Sequence, residues 1–161
     1  MTRQDRELLR DLLARERLLS LGVTVEGRPV VGLLPYAVAQ DFAALYVQAS
    51  RLARHSQGMR PGSPFAAVIH RPDRPEADPL QTPRLTLLGG VEPLAGGPGL
   101  EVAARAFRAR FPTAAQTLAL PDFALYRLEI QSGRLVGGFG RAVDLTAADF
   151  RELANAWGPT V

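Results

Sequence analysis

Val47-Gln48-Ala49-Ser50-Arg51-Leu52-Ala53-Arg54-His55-Ser56-Gln57-Gly58-Met59-Arg60 is the stretch on which the reading of this chain turns. A strand-like run, Ala43 to Val47, leads into it, and Pro61 closes it. Read locally, it predicts a helix opened by Ser50, whose hydroxyl can accept from the free amide hydrogens of the first turn. Such a start joins orphan N–H groups, the positive end of the helix dipole and the Arg51 guanidinium, which together suit a phosphate. The same residues also read as an ordinary capped helix with an exposed arginine, and local chemistry leaves both readings open.

Working upstream, Leu18 to Val25 reads as a strand, Glu26-Gly27-Arg28-Pro29 as a turn and Val30 to Val38 as the returning strand. With Ala43 to Val47 these make an antiparallel meander. Pro35 cannot donate to a ladder and marks an edge or an interruption. Before the meander, Thr2 caps a helix predicted over residues 3–15, with Leu8, Leu9, Leu12 and Leu13 on one packing stripe.

Downstream, Phe65 to His70 is a buried-looking strand. Prolines and alternating charges from Arg71 to Pro83 predict a mobile loop. Arg84 to Val91 resumes period-two alternation, and Leu100, Ala103, Ala104, Phe107 and Phe111 define a helical face that stops at Pro112. Phe123 to Ile130 reads as a strand, Gln131-Ser132-Gly133 as a turn and Arg134 to Gly140 as a further strand. Thr146 opens a last helix, about 146–157, that carries Phe150 and Leu153. About seven mostly antiparallel strands with helices inserted singly predict an α+β fold, a small barrel in one domain over 1–161. The barrel itself should span about 17–142. No βαβ rhythm, GxGxxG or Walker motif is present.

Composition narrows the function classes. With 161 residues, 47% hydrophobic and 22% charged, the chain can bury a real core. Cysteine is absent, which excludes disulfides and thiolate metal sites. His55 and His70 have no carboxylates at ligand spacing, so no metal site is expected. All 19 basic residues are arginine, which excludes Schiff-base chemistry through lysine. The net charge is only +3 and the arginines are dispersed, so nucleic acid is not an expected partner. The N-terminus is charged and amphipathic, and no apolar run is long enough to span a bilayer. A cytoplasmic protein is expected.

Several motifs in order, Leu33-Leu34-Pro35-Tyr36, Ser50-Arg51-Leu52-Ala53-Arg54-His55, Arg84 to Gly89, Asp122-Phe123 and Gly137 to Ala142, carry a resemblance. Over roughly residues 16–145 the chain resembles the pyridoxamine 5'-phosphate oxidase-like, flavin-binding split barrels, and most closely their haem-utilisation branch. The resemblance implies a split β-barrel, a homodimer, and flavin mononucleotide (FMN) held in clefts between subunits. It implies an FMN-dependent oxidoreductase of unspecified substrate, or alternatively a haem-binding protein on the same scaffold without flavin turnover. The cofactor contacts it implies are Leu33, Leu34, Pro35 and Tyr36 along the second strand, Gln48, Ser50, Arg51 and Leu52 at the phosphate, Arg84 as a second cation, and Phe139 and Arg141 from the partner's turn. Leu52 stands where the oxidase pattern has lysine, and no late histidine matches the iron ligand expected in haem-degrading members. His55 reads either as a satisfied helix histidine or as a functional one, and Arg84 either as a surface ion pair or as a phosphate ligand. No nucleophile–base pair emerges, so catalytic residues are unassigned and any chemistry would be the cofactor's.

Overall fold

The computed structural model describes residues 1–138 and 140–157. Helix α1 (Arg3–Arg15) is followed by β1 (Leu18–Val25), β2 (Arg28–Val38) and β3 (Ala44–Ser50), then by a 3₁₀ turn (Arg54–Gly58). Next come β4 (Pro64–His70), a short 3₁₀ turn (Pro79–Gln81), β5 (Arg84–Leu94) and α2 (Gly97–Arg110). A 3₁₀ turn (Pro112–Ala114) and α3 (Ala115–Leu118) precede β6 (Phe123–Gly138), β7 (Arg141–Thr146) and α4 (Ala147–Trp157). The sheet order is β3-β2-β1-β4-β5-β6-β7, and a β3–β6 seam closes six of the strands into an antiparallel barrel. The α+β split barrel expected from the sequence is the observed fold. No described helix is long and apolar enough to cross a membrane.

Alternation builds the barrel interior. Leu19, Leu21, Val23 and Val25 of β1 point inward, where they meet Leu85 and Leu87 of β5 and Leu128 and Ile130 of β6. Helix α1 completes that core with Leu9, Leu12 and Leu13, all three fully buried. Each such leucine contributes roughly 1.5–3 kcal/mol through burial, enough to hold a short helix that would be marginal alone. A capping box fixes the start of α1: Asp5 N–H donates to Thr2 Oγ1 at 3.2 Å, and Thr2 N–H donates to Asp5 Oδ2 at 2.9 Å. The far end is held from elsewhere in the chain. Tyr36 O–H donates to the Leu12 carbonyl at 2.6 Å, and Arg110 donates to the carbonyls of Ala14 and Glu16. Outside the barrel, α2 lays Ala103, Phe107 and Phe111 on Ala37, Tyr46 and Leu125, making a second small core.

Three expectations are corrected. Residues 50–60 do not form an α-helix. β3 continues to Ser50 because Gln48, Ala49 and Ser50 take ladder partners Leu125, Ala124 and Phe123 on β6, leaving room only for the 3₁₀ turn. Gln131-Ser132-Gly133 is no turn: β6 runs through it, paired with β5 on one side and β7 on the other. The glycine there serves close packing, since a Cβ at Gly133 would stand 2.9 Å from Phe150 Cζ and 2.9 Å from the Thr86 carbonyl oxygen. Arg134 to Gly138 is consequently the end of β6, and the seventh strand is β7.

Candidate functional site

The barrel is split where β2 and β3 part. β2 pairs with β3 only from Tyr36 to Val38, while Arg28 to Pro35 pair with β1 alone. The segment 51–58 fills the gap, and the His55 ring lies directly over Gly32: a Cβ there would stand 2.6 Å from His55 Nδ1. His55 Nε2 is buried without a hydrogen-bond partner. Burial lowers the histidine's pKa, which favours the neutral ring.

The Ser50 corner is stitched to the approach of β6. Ser50 Oγ donates to Asp122 Oδ2 at 2.9 Å and accepts from the Leu52 amide at 3.2 Å. The Arg51 amide donates to the Asp122 carbonyl, and Arg51 Nη1 donates to the Pro121 carbonyl at 3.0 Å. Arg51 is otherwise exposed, so most of its five N–H donors face solvent. Leu52 beside it is 82% exposed.

The other expected contacts scatter. Leu33 and Pro35 lie on the outer face of β2, Leu33 being 66% exposed. Leu34 and Tyr36 point the other way. Tyr36 is fully buried and spends its hydroxyl on α1, so the barrel wall closes both residues off from a ligand. Burial raises the Tyr36 phenol well above its ordinary pKa, partly opposed by Arg110. Gln48 is buried in β3, and its Nε2 has no partner. Arg84 opens β5 and donates from Nη1 to the carbonyls of Leu80 and Thr82. Arg141 pairs with Asp5 of its own chain at 2.8 Å. Phe139 lies outside the described residues.

One grouping was not foreseen. The outer faces of β2, β1, β4 and β5 form one largely apolar surface, interrupted by Ser20 and Thr86. Leu18, Val31, Leu33 and Leu88 stand 50%, 71%, 66% and 49% exposed on it, with Val68 among them. Its end nearest α1 carries His70 and Arg84, which are register partners. Pro35 is the partner of Leu18, and continuing the β1–β4 register by two residues brings Leu18 beside His70. Pro35 and Arg84 are therefore three strands apart, roughly 14 Å at about 4.8 Å per strand. His70 is exposed, and its Nδ1 lies 2.8 Å from the Arg71 carbonyl oxygen. A carbonyl only accepts, so Nδ1 carries the proton of that bond, and Nε2 is the nitrogen that holds the lone pair in the neutral ring. No motif in the sequence signals that backbone contact.

No protein-family model and no curated protein sequence matches the chain. Solved structures do. A haem-binding protein from Mycobacterium smegmatis superposes with a TM-score of 0.81 at 26% identity, covering 94% of this chain and 62% of that one. A further solved chain is 30% identical, with a TM-score of 0.77, over 93% of this chain and 97% of its own length. A protein of the pyridoxinephosphate oxidase family from Clostridium acetobutylicum, related to general stress protein 26, shares the fold at 11% identity. Its TM-score is 0.67, over 93% of this chain and 99% of that one. The chain has the split-barrel fold of the pyridoxamine 5'-phosphate oxidase-like superfamily. Within that superfamily its structural neighbours include both haem-binding and flavin-binding proteins. It spans only 62% of the mycobacterial protein's length.

Proposed function

We propose that this chain is a cytoplasmic homodimer that binds a planar aromatic cofactor with acidic arms, and that haem fits its residues better than FMN. The observation that carries the reading is the apolar outer face from Leu33 and Pro35 to His70 and Arg84. A flat ring would cover exposed leucines there, His70 Nε2 is available to iron, and Arg84 retains donors for a carboxylate. A second copy would shield the rest of a surface too apolar to leave wet. Haem would supply iron redox and ligand-exchange chemistry. The chain's own part is to fix the His70 tautomer through the Arg71 carbonyl, to neutralise an acidic arm with Arg84, and to exclude water with Leu18 and Leu33. The mycobacterial haem-binding neighbour, 26% identical over 94% of this chain, supports the choice.

An FMN-dependent oxidoreductase is the second reading, favoured by the open donors of Arg51. Its phosphate would meet Asp122, which already holds the Ser50 hydroxyl, and would find no helix amides. That site fits a dianion poorly.

Titration with haem and with FMN separates the two. The expected result is a Soret band that saturates at one haem per chain, shifts in His70→Ala and is unchanged in Arg51→Ala. Tight FMN binding lost in Arg51→Ala, with no haem binding, would reverse the assignment. Light scattering should return twice the chain mass, and a monomer at micromolar concentration would remove the shared cleft.

A further inference from the structure

A cavity of about 440 Å³ opens beside the His70–Arg84 end of the apolar outer face, between α1, the 71–83 segment and the strand ends at Gly137 and Arg141. Its apolar lining is Leu8 of α1 with Pro72, Ala77 and Pro83. The opposite character comes from three arginines, Arg71, Arg74 and Arg141, against a single lining carboxylate, Asp78. Asp78 is already engaged, its Oδ1 accepting from the Leu80 amide at 2.9 Å to cap the 3₁₀ turn.

Two of the arginines are held in place from behind. Arg71 Nη2 lies 3.0 Å from Asp11 Oδ2, and Arg141 Nη2 lies 2.8 Å from Asp5 Oδ1. Both carboxylates stand on α1 and neither lines the cavity. Each pair uses one edge of its guanidinium and leaves further N–H donors. Arg74 forms no ion pair among the described residues. The 71–83 segment is tied at its base, where the Arg71 amide donates to the Pro83 carbonyl at 3.0 Å, and Arg84 braces it from outside through Leu80 and Thr82. Arg74 is thus displayed by a loop with fixed ends.

We infer that this cavity is a binding site for a small organic carboxylate with an apolar body. Arg74 takes the carboxylate, with the remaining donors of Arg71 or Arg141 as the second contact. Leu8, Pro72 and Pro83 take the body. Liquid water occupies about 30 Å³ per molecule, so the space suits an occupant of up to roughly fifteen heavy atoms, at the small end of ligand pockets. A neutral molecule of the same shape would leave the arginine edges without an anion. The site touches the cofactor proposal at Arg71, but its test reads Arg74 and Leu8, which that proposal does not use, so the two stand or fall separately.

Benzoate and benzamide serve as charged and neutral probes, followed on ¹⁵N-labelled full-length protein by the arginine side-chain Nε–Hε resonances and the Leu8 methyls. Benzoate should shift the Arg74 and Leu8 signals in a saturable way, and benzamide should bind at least tenfold more weakly. Arg74→Gln should lose about tenfold in benzoate affinity, while Arg74→Lys recovers part of it. Arg74 is exposed, so both variants fold, and a thermal melt checks this. Equal binding of the two probes, equal affinity in Arg74→Gln, or no saturation by 20-fold excess over the millimolar range (~20 mM) would overturn the inference.

Discussion

Tyr36→Phe tests the placement of the residue that most clearly leaves the expected cofactor wall. Phenylalanine keeps the ring in the core and keeps Arg110 over its face, at 5.8 Å from the centroid. Only the hydroxyl is lost, and with it the 2.6 Å bond to the Leu12 carbonyl. Leu12 belongs to the last four residues of α1, whose carbonyls have no partner further along the helix. Leaving a buried acceptor short costs about 1–2 kcal/mol. For a domain of this size that lowers the melting temperature by roughly 3–6 °C. The phenol adds a pH signature. Its folded pKa is raised, so the native state holds its proton where the unfolded chain, with an ordinary pKa near 10, releases it. Wild-type stability therefore falls as pH rises past about 10, the phenylalanine variant lacks that decline, and the gap between them narrows. Urea melts from pH 7 to 10.5, read by near-ultraviolet circular dichroism, measure both effects. Unchanged stability at pH 7, or a loss of cofactor affinity without loss of stability, would refute the core assignment.

Gly89→Ala should abolish folding or cost at least about 4 kcal/mol, because its Cβ would fall 1.8 Å from the Glu129 carbonyl oxygen at the β5–β6 bulge. The neighbouring Gly90→Ala, with nothing nearer than 3.7 Å, should melt close to wild type. Asp5 is held at a pKa of about 2, first by its hydrogen bonds with Thr2 and then by Arg141. A depressed carboxylate stabilises the fold above its unfolded pKa and loses that effect as pH falls from about 4 towards 2. An acid titration of Asp5→Asn should accordingly show a shallower loss of stability over that range, and a slope equal to wild type would contradict the assigned contacts. Hydrogen exchange should find the amides of residues 73–76, between the tied ends of the 71–83 loop, among the least protected in the free protein, and uniform protection there would rule out a mobile segment.

Much of the barrel was legible because period-two alternation in β1, β2, β4 and β5 and the leucine stripe of α1 each state a buried face directly. Reading failed where a residue's usual local meaning lost to a distant contact. Ser50 looks like a helix cap, but ladder partners on β6 hold it in a strand. Gly133 looks like a turn, but Phe150 and the Thr86 carbonyl demand the missing side chain. Tyr36 looks like a ligand wall, but it faces α1 because a one-residue step along β2 exchanges inside for outside. The Ser50–Asp122 bond and the support that Arg110 gives to the end of α1 join residues far apart in sequence, and no local pattern encodes them.

The β3–β6 seam governs how this chain comes to be folded at all. It matches Ala44 with Glu129 and Ser50 with Phe123, so most of the sequence must exist before the ring can shut. At synthesis rates of about 5–20 residues per second, β3 waits some 5–15 s for its partner. Throughout that interval the nascent sheet is an open ribbon, with β3 presenting a bare edge to any other strand. Closure is a late, long-range event, which places the protein among slow folders. The most hazardous moment in its life comes before the barrel exists, when another copy's β6 competes for the same edge as its own.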